Sequence, residues 1–526
     1  MENQKHPRIW QPTNDNDEEE ETAVEAAPKQ NQSSSRDWII FLVLVLIALV
    51  ARLIFLFVFQ NPQDAYPGWY EDAYHHWQIA YLSYERGFKE SFLRLWDLKG
   101  MEYFWGLLHP LILGGLMKLF ASPSIVIARI LSLTTGSVSI GFIYLLTKRY
   151  FGIHAGLAAA ILAMGNPVAL FSDTSGMQEP LGIMLLLWSL YLWPQRAFIS
   201  GLVLMLAGMV RAEFWVLGMG VLFLMLVGKE KTDHKIAAAV SYGLIAFLYM
   251  KYLLDKTGNA IYPIYWNYMG NAVGEWQAAI SPTPQMLAVK NVYIAILAAG
   301  VVFLGLLLWR RPKYLPFFGV GAGIWVILAY TIGLTEYLLS YLSRFWVDRI
   351  MLLPYIFVAV WFSVLVFKLF GRKYLAVLGW ALILGVLAAS QFLWQPIEYW
   401  KTYTKGNFDK MKVLAQEIGK HYRGGGLLIF EDRPLLTYEL VYFQKVKGAD
   451  IVGQMFDPYF YIDSEPYLNW GENREIVLDW LKKENIKTIV FTGNRERYRQ
   501  LVEKEPDWFT QQAYLKDWDT YIYSVN

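Results

Sequence analysis

Long apolar runs dominate the chain, and their lengths predict its architecture. The first run, Trp38 to Phe59, has 22 residues that are mostly Ile, Leu, Val and Phe. A helix of this length crosses the roughly 30 Å of a bilayer's hydrocarbon core at about 1.5 Å per residue. The run is too long, and begins too far into the chain, for a cleaved signal peptide. It is therefore predicted to be a signal anchor.

Ten further apolar runs predict ten further helices. They lie near 124–147, 153–171, 180–193, 198–210, 213–228, 234–254, 291–309, 314–334, 349–368 and 373–392. Basic residues in short connections accumulate on the cytoplasmic side of a membrane. With eleven crossings and a cytoplasmic N-terminus, every basic cluster in these connections lies on that side. The predicted fold is an α-helical polytopic membrane protein.

Two ambiguous segments are decided by the same rule. A crossing by the apolar segment Phe104 to Phe120 would place every later basic cluster outside, and His109-Pro110 lies near its middle. We therefore predict a juxtamembrane helix in the outer interface. A single helix over 198–228 would also invert the rest of the chain. The predicted break is at Arg211-Ala212-Glu213, on the outer surface.

The two ends of the chain are polar, but in different ways. Residues 1–36 contain an acidic run among Gln, Asn and Ser, and cannot bury enough apolar surface to fold. We expect a disordered cytoplasmic tail there. The segment 394–526 alternates short apolar strands with helical stretches, which predicts a small extracytoplasmic α/β domain. The predicted strands are 427–430, 486–492 and 520–525, and the helices 407–422, 434–444 and 474–484. A membrane domain over 37–393, with a large first outer loop at 60–123, lies between the two ends.

Composition agrees with a membrane protein and excludes some partners and chemistry. Only 17 % of the residues are charged, against about 25 % in soluble domains. A net charge of +2 argues against nucleic acid, which calls for a basic face. Because Cys is absent, disulfides, thiolate metal sites and a Cys nucleophile are excluded.

The densest cluster of reactive side chains lies in the first outer loop, at Tyr70 to Trp77. On a helix, Glu71 with His75 and Asp72 with His76 would share a face. A carboxylate at the membrane boundary can take a proton from an acceptor hydroxyl. Two alternatives stay open: a solvated loop with interfacial aromatic residues, or a site for Mg or Mn with carboxylate and imidazole ligands.

A second outward acid lies in the short connection 172–180. Pro180 marks a helix start, so Glu179 must lie where one helix ends and the next begins. Asp173 lies in the same connection. Both acids favour a helix N-terminus through its dipole, which is the plainer interpretation. Their proximity to the first acidic loop instead predicts a shared site.

Cations at the outer membrane border complete the candidate set. They and their neighbouring acids are Arg211, Glu213, Arg344, Asp348 and Arg349. Charges at such depth are costly and usually have a partner or a task. A planar guanidinium binds phosphate through two hydrogen bonds, so these arginines could hold a lipid phosphate. Mutual neutralisation with the acids is the alternative. For Arg52, which is deeper in the first helix, we predict a structural ion pair.

Aromatic residues are frequent in the outer interval 258–290. Tyr265 and Trp266 stand there among Gly, Asn and Pro. Aromatic faces beside amides suit the CH face of a sugar or the rim of a cavity. An interfacial aromatic belt is an equal alternative.

These features together resemble the GT-C superfamily of membrane glycosyltransferases, and within it family 39, the protein mannosyltransferases and lipid A aminoarabinose transferases. The resemblance rests on four features of the sequence. They are Asp72 with Gln78-Ile79-Ala80 and Gly87, the stretch Leu107-Leu108-His109-Pro110-Leu111, the acid Glu179 after the third span, and the run Ser343 to Pro354 with its Leu-Leu-Pro helix start. The likeness covers about residues 38–393.

The resemblance implies inverting transfer of a sugar from a polyprenyl-phosphate donor to a glycan, lipid or protein on the outer face. It makes Asp72 the base, with Glu179 as partner across the cavity and the arginines on the phosphate. His75, His76 and His109 would then be orienting or substrate-side groups. Protein mannosyltransferases usually show Asp-Glu, whereas this chain has Glu71-Asp72-Ala73, so either carboxylate could be the base.

Two alternatives rank lower. An oligosaccharyltransferase would carry a tryptophan-rich acceptor signature, and Asn469-Trp470-Gly471 matches it poorly. A transporter of lipid or sugar predicts inverted repeats, and the sequence has no internal repeat. No cofactor is required by the resemblance, although a divalent metal remains possible.

Overall fold

The computed structural model of the chain describes most of the membrane part and most of the C-terminal part. The described residues are 34–59, 72–86, 103, 105–193, 195–268, 298, 301–302, 304–310, 315–320, 352–371, 375–393, 411–429, 434–453, 470–493 and 496–526. The predictions on the N-terminal tail, Glu71, Arg344, Asp348 and Arg349 lie outside these residues, as does the side chain of Trp266.

Helices make up the described chain up to residue 421. They are α1 Ser35–Ile54 with a π-helical extension Phe55–Phe59, α2 Asp72–Arg86, α3 Leu108–Leu119, α4 Ile125–Phe151, α5 Ile153–Met164, α6 Pro167–Thr174, α7 Glu179–Leu192, α8 Ala197–Gly208, α9 Ala212–Val227, α10 Thr232–Thr257, α11 Tyr262–Tyr268, α12 Leu352–Leu369, α13 Ala376–Leu393 and α14 411–421. Further helical turns lie at 304–310 and 315–320.

Within the described residues, four helices are long and apolar enough to cross a membrane: α1, α4, α10 and α12. The pair α5 and α6 also qualifies as one bent span, and α3, α7, α8, α9 and α13 are shorter apolar helices. The chain is therefore an integral membrane protein. The count of eleven crossings and the orientation of the termini stay predictions.

The single helix predicted over 153–171 is instead two helices, which meet at an angle of 62°. Asn166 caps the second helix, since its Oδ1 accepts hydrogen bonds from the amides of Val168 (2.9 Å) and Ala169 (3.2 Å). Pro167 follows in the first turn, where its missing N–H costs nothing. A capping residue followed by proline starts a new helix, and this breaks the span.

The other two decisions on ambiguous segments agree with the described helices. α8 ends at Gly208 and α9 begins at Ala212, so the chain breaks at Arg211 as predicted. The segment around His109 forms the helix α3, which has 12 residues. At about 1.5 Å per residue this helix measures about 18 Å, which is too short to cross the hydrocarbon core.

A five-stranded mixed sheet follows in the C-terminal part. Its elements are β1 Gly426–Ile429, α15 Pro434–Tyr438 with a π-helical extension Glu439–Phe443, β2 Ile451–Gly453, α16 Trp470–Lys483, β3 Ile486–Thr492, α17 Glu496–Lys504, β4 Phe509–Leu515 and β5 Thr520–Val525. The strand order is β2-β1-β3-β5-β4. β1 pairs in parallel with β2 and β3, while β5 runs antiparallel to β3 and β4. The predicted α/β character is confirmed; β2, β4 and α17 were not predicted.

An ion pair deep among the helices joins α1 to α6. Arg52 is fully buried, and its Nε and Nη2 donate to Oδ2 of Asp173 at 2.7 Å and 2.5 Å. The carboxylate occupies space that a side chain at Gly136 of α4 would need. The structural ion pair predicted for Arg52 is confirmed. Asp173 is its partner and is therefore not the second acid of a shared site with Glu179.

Removing one partner of this pair should destabilise the protein strongly. Arg52→Met leaves the Asp173 carboxylate buried without its cation, and such a loss typically costs about 3–5 kcal/mol. We expect a clearly lower midpoint of thermal unfolding in detergent. The double variant Arg52→Met with Asp173→Leu, which removes both charges, should recover most of the loss. A double variant no more stable than Arg52→Met would contradict this account.

Candidate active site

The connection between α6 and α7 is fixed against α4. Gly176 has a φ of +87°, which favours glycine, and its amide donates to Oγ of Ser132 at 3.1 Å. The same hydroxyl donates to the carbonyl of Asp173 at 2.8 Å. The next helix then begins at Glu179, with Pro180 in its first turn. A polar tether and a proline start therefore fix the position of the Glu179 carboxylate.

Glu179 is one of two acids that share a single guanidinium. Arg211, at the break before α9, donates from Nη1 to Oε1 of Glu179 at 2.5 Å. Its Nε and Nη2 reach both carboxylate oxygens of Glu213, at 3.0 Å and 2.6 Å. Arg211 and Glu179 are buried, whereas the Glu213 side chain is 42 % exposed. The pairing of Arg211 with Glu213, which was the alternative to phosphate binding, is therefore observed, and Glu179 is added to it.

The charge of this cluster also reaches Asp72. Burial lowers the pKa of Arg211, but the negative charges of Glu213 and Glu179 outweigh this effect and raise it. The charge of Asp72 raises the Arg211 pKa further. Asp72 is the first residue of α2. The charges of three carboxylates therefore act on one arginine, with a net formal charge of −2.

Close backbone packing brings α3 to the same place. Gly106 has a φ of +131°, and a Cβ there would lie 2.5 Å from the carbonyl oxygens of Met209 and Val210. The amide of Leu108 donates to the Met209 carbonyl at 3.0 Å. The residues that lead into α3 therefore pack directly against the turn that carries Arg211. This contact places His109 beside the acidic cluster.

Three imidazoles line this region around Trp105. The His76 ring lies 5.1 Å from Trp105 and 5.6 Å from His109, and the His75 ring lies 5.7 Å from Trp105, between centroids. Burial lowers the pKa of His109 to about 4, against the opposing charge of Glu179. Burial also lowers the pKa of His75 well below its usual range. His75 and His109 are therefore neutral near pH 7 and act through hydrogen bonds rather than charge.

His109 has unused hydrogen-bonding capacity within the described chain. It is fully buried, and neither Nδ1 nor Nε2 has a hydrogen-bond partner among the described residues. The amide of Gln178, next to Glu179, is likewise buried without such a partner there. A buried polar group without a partner costs about 1–3 kcal/mol. Both side chains are therefore candidates for contact with substrate hydroxyls.

The predicted site residues divide into three groups. Asp72, His75, His76, His109, Glu179, Arg211 and Glu213 are brought together. Tyr265 lies on α11 with 41 % of its surface exposed. Glu71, Arg344, Arg349 and the side chain of Trp266 lie outside the described residues.

Sequence reasoning missed Gln178 and Arg129. Arg129 is fully buried in the second turn of α4 and lies near Tyr438, whose burial-raised pKa its charge partly offsets. A charge inside an apolar span was the available signal. Gln178 gave no signal, because a single amide in a polar connection is ordinary.

The described side chains do not form a metal site. Across the described ranges, no three His, Asp or Glu side chains come close enough together to hold an ion. The site suggested by the sequence would have included Glu71, which lies outside those ranges. A role for Mg or Mn therefore stays a prediction, and no step of the chemistry below depends on it.

Comparison with known proteins gives a fold. No family profile and no curated protein sequence matches the chain. ArnT from Cupriavidus metallidurans, solved bound to undecaprenyl phosphate, is 13 % identical, with a TM-score of 0.53 over 93 % of this chain and 98 % of ArnT. The Archaeoglobus fulgidus oligosaccharyltransferase, tethered to an acceptor peptide containing the NVT sequon, is 13 % identical, with a TM-score of 0.48 over 87 % and 69 % of the two chains. The same enzyme in complex with Zn and sulfate gives 12 % identity and a TM-score of 0.45, over 91 % and 72 %.

At this identity the likeness to ArnT shows the fold alone. The predicted fold class is confirmed: the chain is a helical membrane protein with the fold of ArnT and a small C-terminal sheet. Membership of family 39 stays a prediction.

The two acids on Arg211 provide a matched pair of substitutions. Glu179→Gln removes a buried charge partner, and losses of this kind exceed those at exposed pairs, which contribute about 0–1 kcal/mol. Glu213→Gln removes the 42 % exposed partner. Thermal unfolding in detergent should therefore show the larger decrease for Glu179→Gln. Equal decreases, or a larger decrease for Glu213→Gln, would show that the buried ion pair does not contribute more stability than the exposed one.

Stability should depend on pH through His109. Its pKa is about 4 in the folded state and about 6.5 when unfolded. Between these values the unfolded chain binds more protons, so stability rises with pH from 4 to 6.5 and is flat above. The difference corresponds to about 3 kcal/mol at most. His109→Gln should reduce this rise in denaturant titrations at several pH values, and the part that remains is expected from His75, whose pKa burial also lowers. A variant with the wild-type slope would rule out His109 as its source.

Proposed function

We propose that the chain is an inverting glycosyltransferase, which moves a sugar from a polyprenyl-phosphate donor to a hydroxyl acceptor on the outer face of the membrane. The observation that carries this proposal is the pairing of Arg211 with the buried Glu179 and the partly exposed Glu213, together with the charge of Asp72 on Arg211, within a GT-C fold. The solved ArnT structure holds undecaprenyl phosphate, a lipid of the class that would carry the sugar here.

Asp72 acts as the general base in this proposal. Its carboxylate takes the proton of the acceptor hydroxyl as the acceptor oxygen forms a bond to the anomeric carbon. The bond between the anomeric carbon and the phosphate oxygen breaks at the same time, and the polyprenyl phosphate leaves with the bonding electrons. Attack from the face opposite the leaving group inverts the anomeric centre.

Arg211 is assigned to holding the site rather than the leaving phosphate. Its guanidinium already donates to two carboxylates through all three nitrogens. A second anion would have to displace Glu179 or Glu213. The leaving phosphate is therefore assigned to Arg344 and Arg349. This assignment follows the sequence resemblance.

The neutral imidazoles and the Gln178 amide are assigned to substrate hydroxyls. His109 and Gln178 are buried and lack hydrogen-bond partners in the described chain, so sugar hydroxyls would satisfy them. A site of net negative charge also disfavours an anionic acceptor group close to Asp72. The identities of the sugar and the acceptor are left open between envelope glycan, lipid and protein.

Asp72→Asn should abolish transfer while the protein stays folded. The amide keeps the size of the side chain but cannot accept the proton, and loss of a general base typically costs 10²–10⁴-fold in rate. Turnover would be measured in detergent or nanodiscs with labelled polyprenyl-phosphate sugars. Asp255→Asn is the matched control, because Asp255 forms an exposed pair with Lys251 on α10. Full turnover by Asp72→Asn would remove Asp72 as the base and leave Glu71 as the candidate.

A further inference from the structure

The helix α2 presents a polar face and an aromatic face on opposite sides. With about 100° between successive residues, Asp72 and His76 share one face, and Tyr74, Trp77 and Tyr81 lie on the opposite side. The first face belongs to the candidate active site. The aromatic face is buried, since Tyr74 and Trp77 are 0 % exposed and Tyr81 is 4 % exposed. What buries it is part of the C-terminal domain.

Tyr438, the last residue of α15, is the centre of this contact. Its ring lies edge-on to Trp77 at 4.9 Å and 90°, and to Tyr74 at 5.2 Å and 60°. On its other side it stacks on Tyr442 at 5.3 Å. Edge-to-face aromatic pairs contribute about 0.5–1.5 kcal/mol each beyond the area they bury. The C-terminal domain therefore holds α2 through a fully buried aromatic cluster.

Two further contacts tie this cluster to the membrane helices. The Trp77 indole donates to the carbonyl of Pro123 at 2.6 Å, just before α4. The amide of Ile125, the first residue of α4, lies 3.4 Å from the Tyr438 hydroxyl, to which it donates. The side chain of Tyr438, in the C-terminal domain, thus contacts both α2 and the start of α4.

A glycine of the C-terminal domain allows the domain to approach α2 closely. Gly448, which precedes β2, lies so close to the Tyr81 ring that a Cβ there would collide with it. Tyr81 in turn stacks on Trp77 at 5.1 Å, with the rings nearly parallel at 4°. The domain therefore contacts α2 from two separate segments, around Tyr438 and around Gly448.

We propose that the C-terminal domain positions the base of the transfer reaction, and that Tyr438 is its positioning residue. The proposal rests on the proposed function. Trp77 lies five residues beyond Asp72, which is about 7.5 Å along the same helix. A rigid helix transmits a displacement at Trp77 to Asp72, and a misplacement of about 1 Å can cost about 10²-fold in rate. The domain then acts on the chemical step rather than on donor binding.

The test compares three variants of the full-length protein in nanodiscs. Tyr438→Leu removes the ring, Tyr438→Phe keeps the ring and removes only the hydroxyl, and Tyr514→Leu removes a 44 % exposed ring on β4 as a control. We expect Tyr438→Leu to lower kcat at least tenfold while KM for a labelled polyprenyl-phosphate sugar changes less than twofold. Tyr438→Phe and Tyr514→Leu should stay within twofold of wild type in both constants.

Hydrogen exchange provides a readout that does not depend on activity. Backbone amides of α2 should exchange faster in Tyr438→Leu than in wild type or Tyr438→Phe, while those of α10 are unchanged. If wild type transfers no sugar, the proposed function fails, and exchange in α2 still decides whether the domain holds the helix. Unchanged exchange, a wild-type kcat in Tyr438→Leu, or parallel losses in kcat and donor affinity would overturn the proposal.

A second variant applies if Tyr438→Leu does not fold. Gly448→Ala leaves Tyr438 in place and pushes a methyl group against Tyr81. It should lower kcat without a matching change in KM, and should speed exchange in α2. Wild-type values of kcat and of α2 exchange in Gly448→Ala would then overturn the proposal.

Discussion

The pairing of Arg211 with Glu179 is the interaction on which the rest of the candidate site depends. A buried guanidinium is costly unless it is paired. Arg211 meets this requirement with a 2.5 Å contact to the first residue of α7 and two contacts within its own turn. Because Arg211 lies at the break between α8 and α9, the pair joins three helices at one point.

A second buried arginine is likewise paired with an acid. Arg52 and Asp173 neutralise each other between α1 and α6, and the bend at Asn166 and Pro167 gives α6 its direction. The two arginines thus have different tasks. Arg52 joins α1 to α6, whereas Arg211 pairs with Glu179 and Glu213 and is also affected by the charge of Asp72. The two buried ion pairs therefore fix the contacts of α1, α6, α7 and the turn before α9.

Much of this arrangement could be predicted from the sequence. The positions of the basic clusters predicted the helix break at Arg211, and the Glu179-Pro180 pair predicted the start of α7. The strands β1, β3 and β5 lie where the alternation of short apolar strands with helical stretches predicted them. These features depend on local pattern. The partner of Arg52 could not be predicted, because it lies 121 residues away. The contact between Trp77 and Tyr438 is likewise a property of the fold. The bend at Asn166-Pro167 was readable from a capping residue followed by proline.

The anomeric configuration of the product tests the central claim most directly. Purified protein in nanodiscs would receive a polyprenyl-phosphate sugar of known configuration, and NMR would give the configuration of the glycoside formed. A single carboxylate base with direct displacement of the phosphate predicts transfer with complete inversion. Retained configuration would contradict that mechanism. Hydrolysis or no transfer with every donor and acceptor class would contradict the assignment as a glycosyltransferase.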